Sequence, residues 1–117
     1  MTKKICVGVI SDTHINHKTS PAVSFTTEKG DTYKPTKTQR ELVRFLEAYA
    51  DEFARREADE KILVLNGDLI EMDDKQRTWA IISRNPADML DLAHAVLKPL
   101  IEIADKVMVI RGTPSHL

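Results

Sequence analysis

Three short runs of apolar, mostly β-branched residues punctuate the chain, at positions 5–10, 62–65 and 107–110. Each is nearly continuous rather than alternating, the pattern of strands buried on both faces of a sheet. Between them the apolar positions switch to helical spacing. Leu42, Phe45, Leu46, Tyr49 and Phe53 form one stripe, and Met89, Ala93, Val96, Leu97, Leu100 and Ile101 form a second. Asn85 followed by Pro86 marks the start of the second helix: a capping side chain, then a proline in the first turn, where no N–H is required. Pro99 falls inside that pattern and should kink or split the helix. The order strand, helix, strand, helix, strand predicts an α/β domain with a largely parallel sheet and flanking helices.

Two stretches lack a period. Residues 15–36 are rich in Ser, Thr and Pro, and irregular segments of that length serve function or lack order. Residues 73–84 are expected to hold a short helix around Trp79. No repeat, low-complexity tract or linker divides the chain, so residues 1–117 are expected to form a single domain with a modest core. The formal net charge of -1 provides no global field for nucleic acid or anionic lipid. Lys29, Lys34, Lys37, Arg40 and Arg44 are scattered among acids and read as a solvated face. The single cysteine, Cys6, cannot form an internal disulfide and sits in an apolar run, which suits core packing in a reducing compartment. The N-terminus has no signal-peptide pattern, and no apolar run approaches the roughly 20 residues that span a bilayer. The expected location is cytoplasmic, with no membrane partner.

Chemistry in α/β sheets collects where strands end and loops depart. The first strand is followed by Ser11-Asp12-Thr13-His14, the second by Asn66-Gly67-Asp68-Leu69-Ile70-Glu71, and the third by Arg111-Gly112-Thr113-Pro114-Ser115-His116. Parallel strands would set these loops side by side. Hard divalent metals favour carboxylate oxygen, and borderline ones accept imidazole as well. One carboxylate can bridge two ions about 3.5–4 Å apart and so build a two-metal site. Asp and Asn also favour turns for local reasons. That accounts for each residue singly, but not for their joint order and the Gly-Asp context.

Asp12-Thr13-His14 and Gly67-Asp68-Leu69-Ile70-Glu71, each directly after a strand and in this order, resemble the signature of calcineurin-like metallophosphoesterases. The resemblance extends over essentially the whole chain. It implies half of an αββα sandwich, and hydrolysis of a phosphomonoester or phosphodiester by metal-activated water at a dinuclear site. Asp12 and His14 would bind the first ion, and Asp68 would bridge both. Glu71 stands where the family usually has Asp and would serve behind the ligands. The implied cofactors are two divalent ions, with Mn favoured and Fe, Zn, Ni, Co or Mg also compatible. The implied partner is a phosphate ester, and nucleic acid enters only as a substrate.

The third motif departs from the family, which has asparagine after the glycine and then a histidine that assists the leaving group. Here Thr113 takes the ligand position and His116 comes two residues later, with Arg111 available to neutralise a phosphate oxygen. The family continues to further histidine ligands, including a late Gly-His-x-His. The four histidines here do not supply them: His17 and His94 are not placed to substitute. The chain is therefore read as truncated at its C-terminus, with an exposed sheet edge open to self-association. The alternative reading is a non-catalytic metal-binding or scaffold module with an incomplete site.

Overall fold

The computed structural model describes residues 2–72 and 78–112. Three strands form a parallel sheet in the order β1 (Ile5–Ile10), β4 (Glu60–Asn66), β5 (Lys106–Ile110). Two helices, α1 (Lys37–Arg55) and α2 (Pro86–Ile103), connect them. The expected mixed α/β architecture and parallel sheet are therefore present. A two-stranded antiparallel ribbon, β2 (Phe25–Thr26) with β3 (Thr32–Tyr33), lies in the segment without a sequence period.

Both helix starts are capped. Thr36 accepts from the Gln39 N–H while the Gln39 side chain accepts from the Thr36 N–H, a reciprocal pair that satisfies two otherwise unpaired donors. Asn85 accepts from the Ala87 N–H, with Pro86 in the first turn as the sequence predicts. The expected split at Pro99 does not occur, and α2 runs as one helix to Ile103. Pro99 forfeits a single backbone hydrogen bond, while its buried neighbours Leu97 and Leu100 hold the turn against the core.

The core joins Ile10, Leu63 and Leu65 of the sheet to Ala50 and Phe53 of α1 and Leu92, Val96, Leu97 and Leu100 of α2. The Phe53 ring lies over Gly8, where a Cβ would come within 3.2 Å of a ring carbon. Residues 15–36 are better integrated than their composition suggests. Ile15 and Ala22 are fully buried in the same core, and the Tyr33 hydroxyl donates to the buried Gln39. The short helix expected near Trp79 is a 3-10 turn at Thr78–Ala80, with Trp79 exposed.

Two expectations are corrected. The strands are not buried on both faces: Ile5, Val7 and Val9 of β1 and Met108 and Ile110 of β5 are 45–54% exposed on the face turned away from the core. Continuous apolar sequence shows that a strand could be covered twice, not that it is. The α1 stripe is also narrower than its periodicity, since Phe45 and Tyr49 are exposed. Tyr49 reaches over the sheet edge instead. Its hydroxyl accepts from the Val9 N–H at 2.9 Å and donates to the Val9 carbonyl at 3.3 Å, occupying part of the open edge of β1. Among the described residues, no helix is long and apolar enough to cross a membrane.

Candidate metal centre

The loops leaving β1 and β4 continue side by side beyond the strands. Asp12 N–H donates to the Gly67 carbonyl (3.2 Å), His14 N–H to Asp68 (3.1 Å) and Ile15 N–H to Leu69 (2.7 Å), while Glu71 N–H donates back to Ile15 (2.8 Å). The Thr13 hydroxyl adds a bond to the Leu69 carbonyl at 2.9 Å. The parallel pairing of β1 and β4 is thereby extended into the loops that carry the candidate ligands. Tight cross-bonding fixes the spacing between Asp12, His14 and Asp68 through the backbone.

That spacing demands unusual conformations. Asp12, His14, Asn16 and Asp68 have φ of 57°, 46°, 90° and 49°, in the left-handed region. Asp, Asn and His enter that region more readily than other side chains, yet each instance costs of order 1–3 kcal/mol. Such outliers persist where surrounding structure enforces them, and here they gather at one end of the sheet. Gly67, at φ 75°, supplies the turn before Asp68. Gly112 is needed for space, since a Cβ there would overlap the main-chain nitrogen and carboxylate of Asp68. The glycines of the second and third motifs thus lie against one another beneath the aspartate.

Asn16, which the sequence reading passed over, anchors the arrangement. Buried to 1% exposure, it donates from Nδ2 to the carbonyls of Glu71 (3.1 Å) and Ser83 (2.7 Å) and accepts from the Ser83 N–H (2.9 Å). The available signal was local: a short polar side chain two residues beyond His14, of the type that tolerates positive φ.

The structure brings Asp12, His14 and Asp68 together, with one candidate ligand atom from each lying within 4.8 Å of the others. Asp12 is exposed, while His14 and Asp68 are partly covered. His14 Nε2 stands 3.8 Å from Asp12 Oδ1, and its Nδ1 stands 2.9 Å from Oε1 of the buried Glu71. A carboxylate accepts, so Nδ1 carries a proton, and in the neutral ring the Nε2 lone pair faces the cluster. An imidazole held this way has the orientation that a metal ligand would need, fixed by the carboxylate behind it. The Ser11 hydroxyl contacts the Asp12 carboxylate and lies 3.0 Å from the Asn66 carbonyl.

Arg111 is exposed at the end of β5, next to the Gly112 that abuts Asp68. Thr113 and His116, the expected second-ion ligand and proton donor, lie outside the described residues. His94 is exposed on α2, and His17 stands outside the three-residue cluster. A cavity of about 240 Å³ beside the cluster is lined by His14, His17, Thr19, Ser20 and Glu71. A larger one of about 300 Å³, near the start of α2, shares none of the three clustered residues. Its buried carboxylate, Asp88, is taken up by the Glu28 N–H (2.9 Å) and the Ser83 hydroxyl (2.7 Å), which tie the ribbon to α2. Comparison with family models, curated proteins and solved structures returned no match.

Proposed function

We propose that this protein is a metal-dependent phosphoesterase that cleaves a phosphomonoester or phosphodiester with metal-activated water. The observation that carries the reading is the convergence of Asp12, His14 and Asp68 at the carboxyl ends of two adjacent parallel strands. The donor set fits divalent ions: two carboxylates and one imidazole with its lone pair turned inward suit Mn, Fe, Zn, Ni, Co or Mg. Asp12 and His14 would hold one ion, and Asp68 would bridge to a second. Bound ions of this kind polarise a phosphate ester and lower the pKa of coordinated water.

The chain's own groups account for the rest. Glu71 orients His14 through Nδ1. Gly112 leaves room for Asp68 beside the strand end, and Gly67 leaves room for Gly112. Arg111, exposed beside that end, is suited to neutralise a phosphate oxygen. The motif reading assigns Thr113 to the second ion and His116 to protonation of the leaving alcohol. The apolar outer face of β1 and β5 suits a half-sandwich, because a second layer would cover just that surface.

The test is hydrolysis of an aryl phosphate and an aryl phosphodiester by the Mn-loaded protein, with Asp68→Asn as control. The proposal expects metal-dependent turnover that the substitution abolishes. Equal turnover by the variant would sink it. Tight metal binding without turnover of either ester would favour the non-catalytic metal module.

A further inference from the structure

We propose that His17 binds the substrate's phosphate as a neutral hydrogen-bond donor, and is not a metal ligand. The inference rests on the phosphoesterase reading and adds a substrate contact to it. His17 Nδ1 lies 3.1 Å from the Thr19 backbone N–H and 2.7 Å from the Thr19 hydroxyl. A backbone N–H can only donate, so Nδ1 is an acceptor and the ring proton resides on Nε2. Among the described residues, Nε2 has no partner. A protonated Nε2 offers no lone pair to a metal, but it can donate to an anionic oxygen.

The ring belongs to the same cavity as His14 and Glu71, together with Thr19 and Ser20. His14 thus presents a lone pair to the cluster, whereas His17, three residues on, presents a proton to the space beside it. The two imidazoles are set in opposite tautomers by their different Nδ1 partners, a carboxylate for one and a backbone N–H for the other. The backbone holding His17 is fixed on several sides. Its carbonyl accepts from the Ser20 N–H (3.0 Å) and the buried Gln39 amide (3.4 Å), its N–H donates to His14 (3.1 Å), and it forms a bridge with Ile81. A donor held this rigidly loses little freedom when it engages an anion.

Inorganic phosphate titrated into the zinc-loaded chain, followed through the histidine ring signals by NMR with zinc affinity measured in parallel, tests the assignment. Phosphate should perturb the His17 ring. His17→Asn keeps an acceptor near the Nδ1 position, and so preserves the loop, but loses the distal donor. It should weaken phosphate binding about ten- to hundredfold, the usual scale for a charge-assisted bond, without changing zinc affinity. His17→Gln, which restores an amide near the Nε2 position, should recover most of the loss. The inference is overturned if zinc-loaded wild type binds no phosphate or His17→Asn binds it normally. It is equally overturned if zinc and phosphate affinity fall together. Asp68→Asn separates the two proposals: phosphate binding that survives without the metal cluster would remove the two-ion reading while leaving His17 as an anion donor.

Discussion

At the carboxyl end of the sheet, polar residues accept left-handed backbone at four positions and are locked there by bonds between neighbouring loops. On the outer face of the same strands, Ile5, Val7, Val9, Met108 and Ile110 adopt ordinary extended backbone and leave about half of their surface in water. Both regions depart from what a stable fold would choose for itself. The first holds local strain where three candidate ligand atoms meet, and the second leaves apolar surface that no described residue covers. The difference separates two meanings of an unfavourable feature. Strain enforced by surrounding hydrogen bonds marks a site, whereas uncovered apolar strand marks a surface whose packing is not provided by the described residues.

Substitutions in the two regions should have effects of different size. Leu63→Ala, on the covered face at 0% exposure, should cost about 2–5 kcal/mol in urea unfolding. A loss below about 1 kcal/mol would show that the helices do not seal that face. Gly112→Ala drives a methyl group into Asp68 and should cost about 1–3 kcal/mol while lowering metal affinity. Normal affinity in a folded variant would detach the third motif from the site. Glu71→Gln leaves the shape intact but removes the charge behind His14, and should weaken Mn binding about 10–100-fold by calorimetry. An unchanged constant would reduce Glu71 to packing. Val7→Thr, on the open face at 54% exposure, should change stability by less than about 0.5 kcal/mol. A loss of 1.5 kcal/mol or more, on the scale of about 1.5–3 kcal/mol for a fully buried side chain, would mean that the face is covered in solution.

The fold class was legible because β-branched runs and helical stripes differ in period, and Asn85-Pro86 placed the start of α2 correctly. That the loops carrying Asp12, His14 and Asp68 are neighbours was legible because they leave adjacent parallel strands, and the family resemblance singled out those three residues; the bonds between the loops and the left-handed backbone that set their spacing were not legible. Sidedness was not legible. Val7 and Leu63 look alike in sequence, and only the position of the helices makes one exposed and the other buried. Phe45 and Tyr49 fit the α1 period yet fall beyond the core, which a stripe cannot reveal without its partner surface. Asn16 escaped notice because its importance lies in bonds to Glu71 and Ser83, more than fifty positions away. The opposite tautomers of His14 and His17 depend on what their Nδ1 atoms meet, Glu71 for one and Thr19 for the other, and have no sequence signature.

The most direct test of the central claim is calorimetric titration of Mn into the wild-type chain and Asp68→Asn, with thermal stability recorded in parallel. Saturable binding by the wild type is expected. Stability should rise with Mn, by about 2.7 kcal/mol when free metal is 100 times the dissociation constant. Asp68→Asn should lose both while its metal-free fold is retained. Equal Mn binding by the two proteins, or none by either, would contradict the assignment of Asp12, His14 and Asp68 as a metal centre.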